Sequence, residues 1–151
     1  MQTINFATSI QAPARTVWDI MTSPDTYQEW VGAAFPGSRF RGEWKEGTDL
    51  QFVDDTGAGT LARLHRIEPF RLAEAEHIAM LEPGGTVDTE SEQARNWMGT
   101  RENYYLEEKE GVTHLRVEMH TLPEYAGMFE DNFPIMLDKL KEMSERQATP
   151  A

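Results

Sequence analysis

A chain of 151 residues is most simply one domain, here spanning residues 1–151, and is long enough to bury roughly 68–70% of the surface its unfolded form exposes. Its 26 acidic against 14 basic side chains leave a net charge of −12, which argues against a nucleic-acid partner and against an anionic membrane surface. With no cysteine there is neither a disulfide framework nor a thiol nucleophile, and no apolar run reaches transmembrane length.

The N-terminal segment Met1-Gln2-Thr3-Ile4-Asn5 lacks the basic and apolar regions of a signal peptide, so a cytoplasmic protein is expected. Ile4, Phe6, Thr8 and Ile10 alternate with Asn5, Ala7 and Ser9, which predicts a first strand with one buried face. Pro13 suits the first turn of a helix, whose apolar side is Val17, Trp18, Ile20 and Met21. Ser23-Pro24-Asp25 repeats the start signal with a hydroxyl cap, a proline and an acid, so a second short helix should run to about Trp30.

Residues 31–37 read as a loop around Phe35. Strand signals follow at 39–44 and 49–53, across a turn at Lys45-Glu46-Gly47, and Asp54-Asp55-Thr56-Gly57 is a hairpin turn. Two more strands are expected at 60–67 and 71–81, separated by Glu68-Pro69-Phe70. Residues 83–99 are irregular: Pro83-Gly84-Gly85 is a turn, and Thr89-Glu90-Ser91-Glu92 fits a capping box for a helical turn ending before Trp97. This acidic loop with its one tryptophan is either a lid over a cavity or a solvated excursion. A last hairpin joins 101–108 to 112–122, where Leu115, Val117 and Met119 alternate with His114, Arg116, Glu118 and His120.

In residues 124–146 the apolar side chains Phe129, Phe133, Met136, Leu137, Leu140 and Met143 recur at steps of three and four, one stripe along a helix. Glu130, Asp131, Asp138, Lys139, Glu142 and Glu145 occupy the other side. Pro134 cannot donate to the carbonyl of Glu130, which predicts a bend in one helix. Such a stripe needs a concave partner, and only the preceding strands supply one. The pattern therefore predicts an α+β fold in which a curled antiparallel sheet grips a long C-terminal helix.

Residues 10–30, with Ala12-Pro13, Val17-Trp18 and Trp30, resemble the AHSA1-like (activator of Hsp90 ATPase homology) branch of the START/SRPBCC superfamily. The likeness continues through Gly42-Glu43-Trp44-Lys45-Glu46-Gly47-Thr48, Arg66-Ile67-Glu68-Pro69 and Trp97-Met98-Gly99-Thr100-Arg101-Glu102-Asn103-Tyr104. It ends in the helix around Phe133-Pro134-Ile135-Met136-Leu137, where many relatives carry Trp in place of Phe133. The resemblance implies a helix-grip fold in the order β-α-α-β6-α, seven strands around the helix with a deep apolar cavity between them. It also implies a ligand such as a lipid, sterol, plant hormone or polyketide, a cyclase activity, or stimulation of a chaperone ATPase. The segment Ala73-Glu74-Ala75-Glu76-His77 departs from the pattern, with carboxylates where relatives often carry aromatics, so a wholly apolar wall is not expected there.

Trp30, Phe35, Trp44, Phe52, Trp97 and Tyr104 are candidates to line a ligand pocket or to fill a core. Phe129, Phe133, Met136, Leu137 and Met119 face the same interior, and Met80, Met128 and Met143 add adaptable surface. His114 and His120 are expected outside. His65 and His77 lie on neighbouring strands and could meet, but lack a third ligand, so no metal or other cofactor is expected. Glu102 shares an inward face with Tyr104 and is the one candidate general acid or base, open to a bond from Arg63, Arg101 or His77. No Gly-x-Ser-x-Gly element is present. Gly57-Ala58-Gly59 lies in a hairpin rather than before a helix, so it is no phosphate cradle. The leading expectation is a carrier or sensor of a small hydrophobic or aromatic molecule, as monomer or homodimer. The alternatives are a chaperone-activating interaction module and a polyketide cyclase-like enzyme using Glu102.

Overall fold

Alternating strands make the sheet. In the computed structural model, which describes residues 1–148, the chain runs β1 (Gln2–Ile10), α1 (Ala14–Thr22), α2 (Pro24–Gly32), β2 (Arg39–Arg41), β3 (Asp49–Val53), β4 (Gly59–Glu68) and β5 (Leu72–Leu81). It continues through β6 (Val87–Asp88), α3 (Glu92–Trp97), β7 (Arg101–Lys109), β8 (Val112–Thr121) and α4 (Pro123–Ala148). The last three residues of the expected domain lie outside the described residues. No described helix is long and apolar enough to cross a membrane.

The strands pair antiparallel in the order β1-β8-β7-β5-β4-β3-β2. The two-residue strand β6 pairs with the end of β5, making eight strands among the described residues rather than the seven expected. Register shifts between Leu61 and Ala62, and between Leu64 and Arg66, bend β4 against β5; bulges of this kind increase twist and curvature. On the inner face of β8, Leu115, Val117 and Met119 are buried in the same cluster as Phe129, Phe133, Met136, Leu137 and Leu140 of α4. The helix-grip arrangement follows, with α1, α2 and β1 packing along α4. Helix α4 runs through Pro134 without interruption. Pro134 and Glu130 both lie on its exposed side, where water can take the carbonyl that proline leaves unpaired.

Several local expectations are corrected. Strand β2 stops at Arg41 because Gly42 turns the chain with φ of 120°. Helix α2 extends past Trp30 to Gly32, and the Ser23 hydroxyl makes no capping bond; its carbonyl instead accepts the Tyr27 N–H at 2.9 Å. Helix α3 is capped by Ser91, whose Oγ accepts the Ala94 N–H, and it includes Trp97. Thr89 does not cap it because the Asp88 carboxylate holds the N–H groups of Glu90 and Ser91, which delays the first turn. His65 and His77 do not meet. His65 points outward to Glu76 at 2.7 Å, while His77 points inward and is 4% exposed. Glu74 and Glu76 also face outward, binding Tyr105, Arg66 and His65, so the carboxylates of this segment do not break the cavity wall.

Candidate functional site

Strand alternation selects the inward residues. On β7 these are Glu102, Tyr104 and Leu106; on β5 they are Ala73, Ala75 and His77. Ala73 stands opposite Tyr104, and Ala75 opposite Glu102. Two alanines facing two large polar side chains leave space that bulkier residues would fill. The start of β4 adds Thr60, and α3 swings Trp97 over the same region, where its ring lies 4.9 Å from the His77 ring and 6.3 Å from Phe129.

A polar chain crosses this interior. Trp97 Nε1–H donates to Thr60 Oγ1 at 2.8 Å, and Thr60 Oγ1 lies 2.9 Å from His77 Nδ1 and 3.1 Å from the Ala79 carbonyl. The single Thr60 proton goes to one of those two acceptors, and that choice sets which imidazole nitrogen carries hydrogen. His77 Nε2 is 3.7 Å from Glu102 Oε2, wider than a hydrogen bond, and forms an ion pair only when the ring is protonated. The Tyr104 hydroxyl donates to Glu102 Oε1. Arg63 pairs with Asp49 and Arg101 with Glu76, so neither reaches Glu102. Burial, then the Glu102 charge, pushes the Tyr27 and Tyr104 phenols up, so both remain proton donors.

The hollow has two chambers. The outer one, of about 210 Å³, opens between α4 and the sheet, bounded by Phe129, Phe133 and Met136 on the helix side. Phe35, Thr60, His77 and Trp97 line its other sides. The inner one, of about 20 Å³, is bounded by Met21, Trp30, Trp44, Ala73, Ala75 and Tyr104. Tyr27, Phe52 and Glu102 border both and form the partition. An aromatic cluster supports it: Tyr27 lies 5.7 Å from Trp30 and 6.1 Å from Phe52, and Trp44 lies 5.8 Å from Phe52. A larger groove of about 970 Å³ lies between the outer sheet face and the Phe70 turn, but its lining is charged, with Arg71, Glu107, Glu108 and Arg116.

Of the sequence candidates, Phe35, Phe52, His77, Trp97 and Glu102 come together around the outer chamber with Phe129, Phe133 and Met136. Trp30, Trp44 and Tyr104 border the inner one. Met119 and Leu137 are buried in the core and border neither, while Met128 is 41% exposed. Sequence reasoning passed over Met21, Tyr27, Val31, Thr60, Ala73 and Ala75. Tyr27 had a signal, since it lies three and four positions before Trp30 and Val31 on one helix face. Thr60, at a hairpin, had none.

The geometry defines a helix-grip protein with a two-chambered inner hollow. Residues 11–145 match the family described as activator of Hsp90 ATPase homolog 1-like protein, and the chain belongs to that family. No match was found among curated proteins. Among solved structures, the protein MLL2253 from Mesorhizobium loti superposes with a TM-score of 0.76 at 16% identity, covering 98% of this chain and 100% of that one. The Aha1 dimer from Colwellia psychrerythraea gives 0.72 at 20% identity, covering 96% and 97%. DynU16, from the dynemicin biosynthetic locus, gives 0.66 at 15% identity, covering 98% of this chain and 49% of its own. At such identities these likenesses establish the fold.

Proposed function

We propose that the protein binds a small hydrophobic or aromatic molecule in the chamber between sheet and α4, as a carrier or sensor. The observation that supports this most is the outer chamber itself: Phe129, Phe133, Met136 and Phe52 supply apolar walls, and His77, Thr60 and Glu102 supply a few fixed polar groups. Its volume of about 210 Å³ suits a ligand of one ring or a short chain, given that a dry cavity of about 150 Å³ takes benzene. A thermal-shift and NMR screen should find hits among single-ring aromatics and short aliphatic compounds, and none among sterols. Absence of any saturable hit in all classes would end the proposal.

Family membership supports a second reading, a chaperone-activating interaction module, either as monomer or, like the Colwellia relative, as a dimer. Its acidic surface would steer it to a basic partner, and stimulation of the chaperone ATPase should then weaken with added salt. The His77–Glu102–Tyr104 arrangement supports a third, an acid–base step on an apolar substrate of the polyketide kind. On that reading Glu102→Gln abolishes turnover and leaves the fold intact.

A further inference from the structure

Trp30 and Trp44 both border the inner chamber, and neither indole Nε1 has a hydrogen-bond partner among the described residues. Both atoms are buried, and Trp30 as a whole is 2% exposed. Buried donors are rarely left unpaired, because they have lost water without a replacement. Facing the same space is Glu102. Its Oε1 accepts from Tyr104, while its Oε2 stands 3.7 Å from the nearest imidazole nitrogen, beyond hydrogen-bond reach. The residues around this space of about 20 Å³, room for a single oxygen-sized atom, thus include two unpaired indole donors and one strong acceptor, with the Tyr27 phenol at the partition.

Besides a water molecule, one ligand functional group meets all three demands. A neutral hydroxyl has two lone pairs to accept from the indoles and one proton to give to the carboxylate. A ketone or ether has no proton for Glu102. A carboxylate would set a second negative charge beside it, and an ammonium would point donors at donors. The outer chamber, of about 210 Å³, fits one substituted ring. Resting on the ligand-binding reading, we infer that the preferred ligand is a single-ring phenol or a compact alcohol of similar size. Its apolar body lies among Phe52, Trp97 and Phe133. Its hydroxyl passes between Tyr27 and Glu102 into the inner chamber, where the oxygen accepts from Trp30 and Trp44 and the proton is donated to Glu102.

Phenol, toluene and benzoate separate the alternatives, titrated into protein with nitrogen-15-labelled indoles. Transfer out of water alone favours toluene, since phenol must give up its hydration. The inference expects the reverse: phenol binds roughly tenfold tighter than toluene or better, and benzoate does not bind. Phenol also shifts the Trp30 and Trp44 N–H resonances downfield while toluene does not, and Trp18, which borders neither chamber, stays put. Trp44→Phe keeps an aromatic ring, removes a donor and narrows the preference for phenol. Toluene binding as tightly as phenol, with both indoles unmoved, overturns the hydroxyl site and leaves the ligand-binding reading standing. Failure of all three probes alongside a hit of another class also overturns this inference alone. Failure of every compound in the wider screen removes the ligand-binding reading itself.

Discussion

Tyr27 and Tyr104 show how single side chains shape the hollow. Each is buried beside Glu102, and each phenol is held well above its ordinary value, first by burial and then by that carboxylate. A raised pKa means the folded state favours the protonated form. The associated stability is fully present below the tyrosine value of about 10 in the unfolded chain, and is lost as pH rises through the folded values. Spectrophotometric titration should therefore show these two of the four tyrosines ionising only together with unfolding, while Tyr105 ionises at about 12. Smooth early ionisation of all four without unfolding would place Tyr27 and Tyr104 in water. Phe133 is the corresponding apolar residue. It is 2% exposed, and its ring stacks on Phe6 at 5.0 Å and meets Phe129 at 6.1 Å. Phe133→Ala should cost about 3–5 kcal/mol in denaturant unfolding, whereas a cost near zero would put that face of α4 in solvent.

At the scale of elements, the β3–β4 hairpin decides where Thr60 sits. A Cβ on Gly59 would lie 1.9 Å from the Phe52 carbonyl oxygen, so the close approach of the two strands requires glycine there. Gly59→Ala should destabilise by more than about 2 kcal/mol and displace Thr60 from His77, visible as a changed His77 ring resonance. A neutral effect would contradict the hairpin geometry. The elements most legible in the sequence were those with strong periodicity. The α4 stripe and the inside–outside pattern of β8 both appear as read, because one buried face enforces a regular spacing. What escaped was decided by competition among local bonds. Asp88 takes the Ser91 N–H, one of the two that a Thr89 cap could have used. His77 and Glu76 differ by one position on β5, yet one lines the hollow and the other the outer surface. The two chambers depend on Ala73 and Ala75 standing opposite Tyr104 and Glu102, a cross-strand register that no local pattern encodes.

Across the whole molecule the two faces of the sheet have separate roles. Outside, charges are paired between strands: Arg63 with Asp49 at 3.0 Å, His65 with Glu76 at 2.7 Å, and Arg116 over the Tyr105 ring at 4.5 Å. Inside, a hollow of modest size holds few polar atoms, and one of them is the Glu102 carboxylate. A net charge of −12 with an interior carboxylate disfavours anionic guests at both long and short range, which agrees with a neutral ligand. The most direct test of the account uses methyl-labelled methionine, because the eight methionines sample chamber, core and surface. Titration with the tightest hit of the screen should shift Met136, on the outer chamber, in a saturable way. Met21, on the inner one, should move with it, while the exposed Met128 stays unmoved. Saturable shifts at Met128 with Met136 and Met21 unchanged would place binding elsewhere and contradict the account.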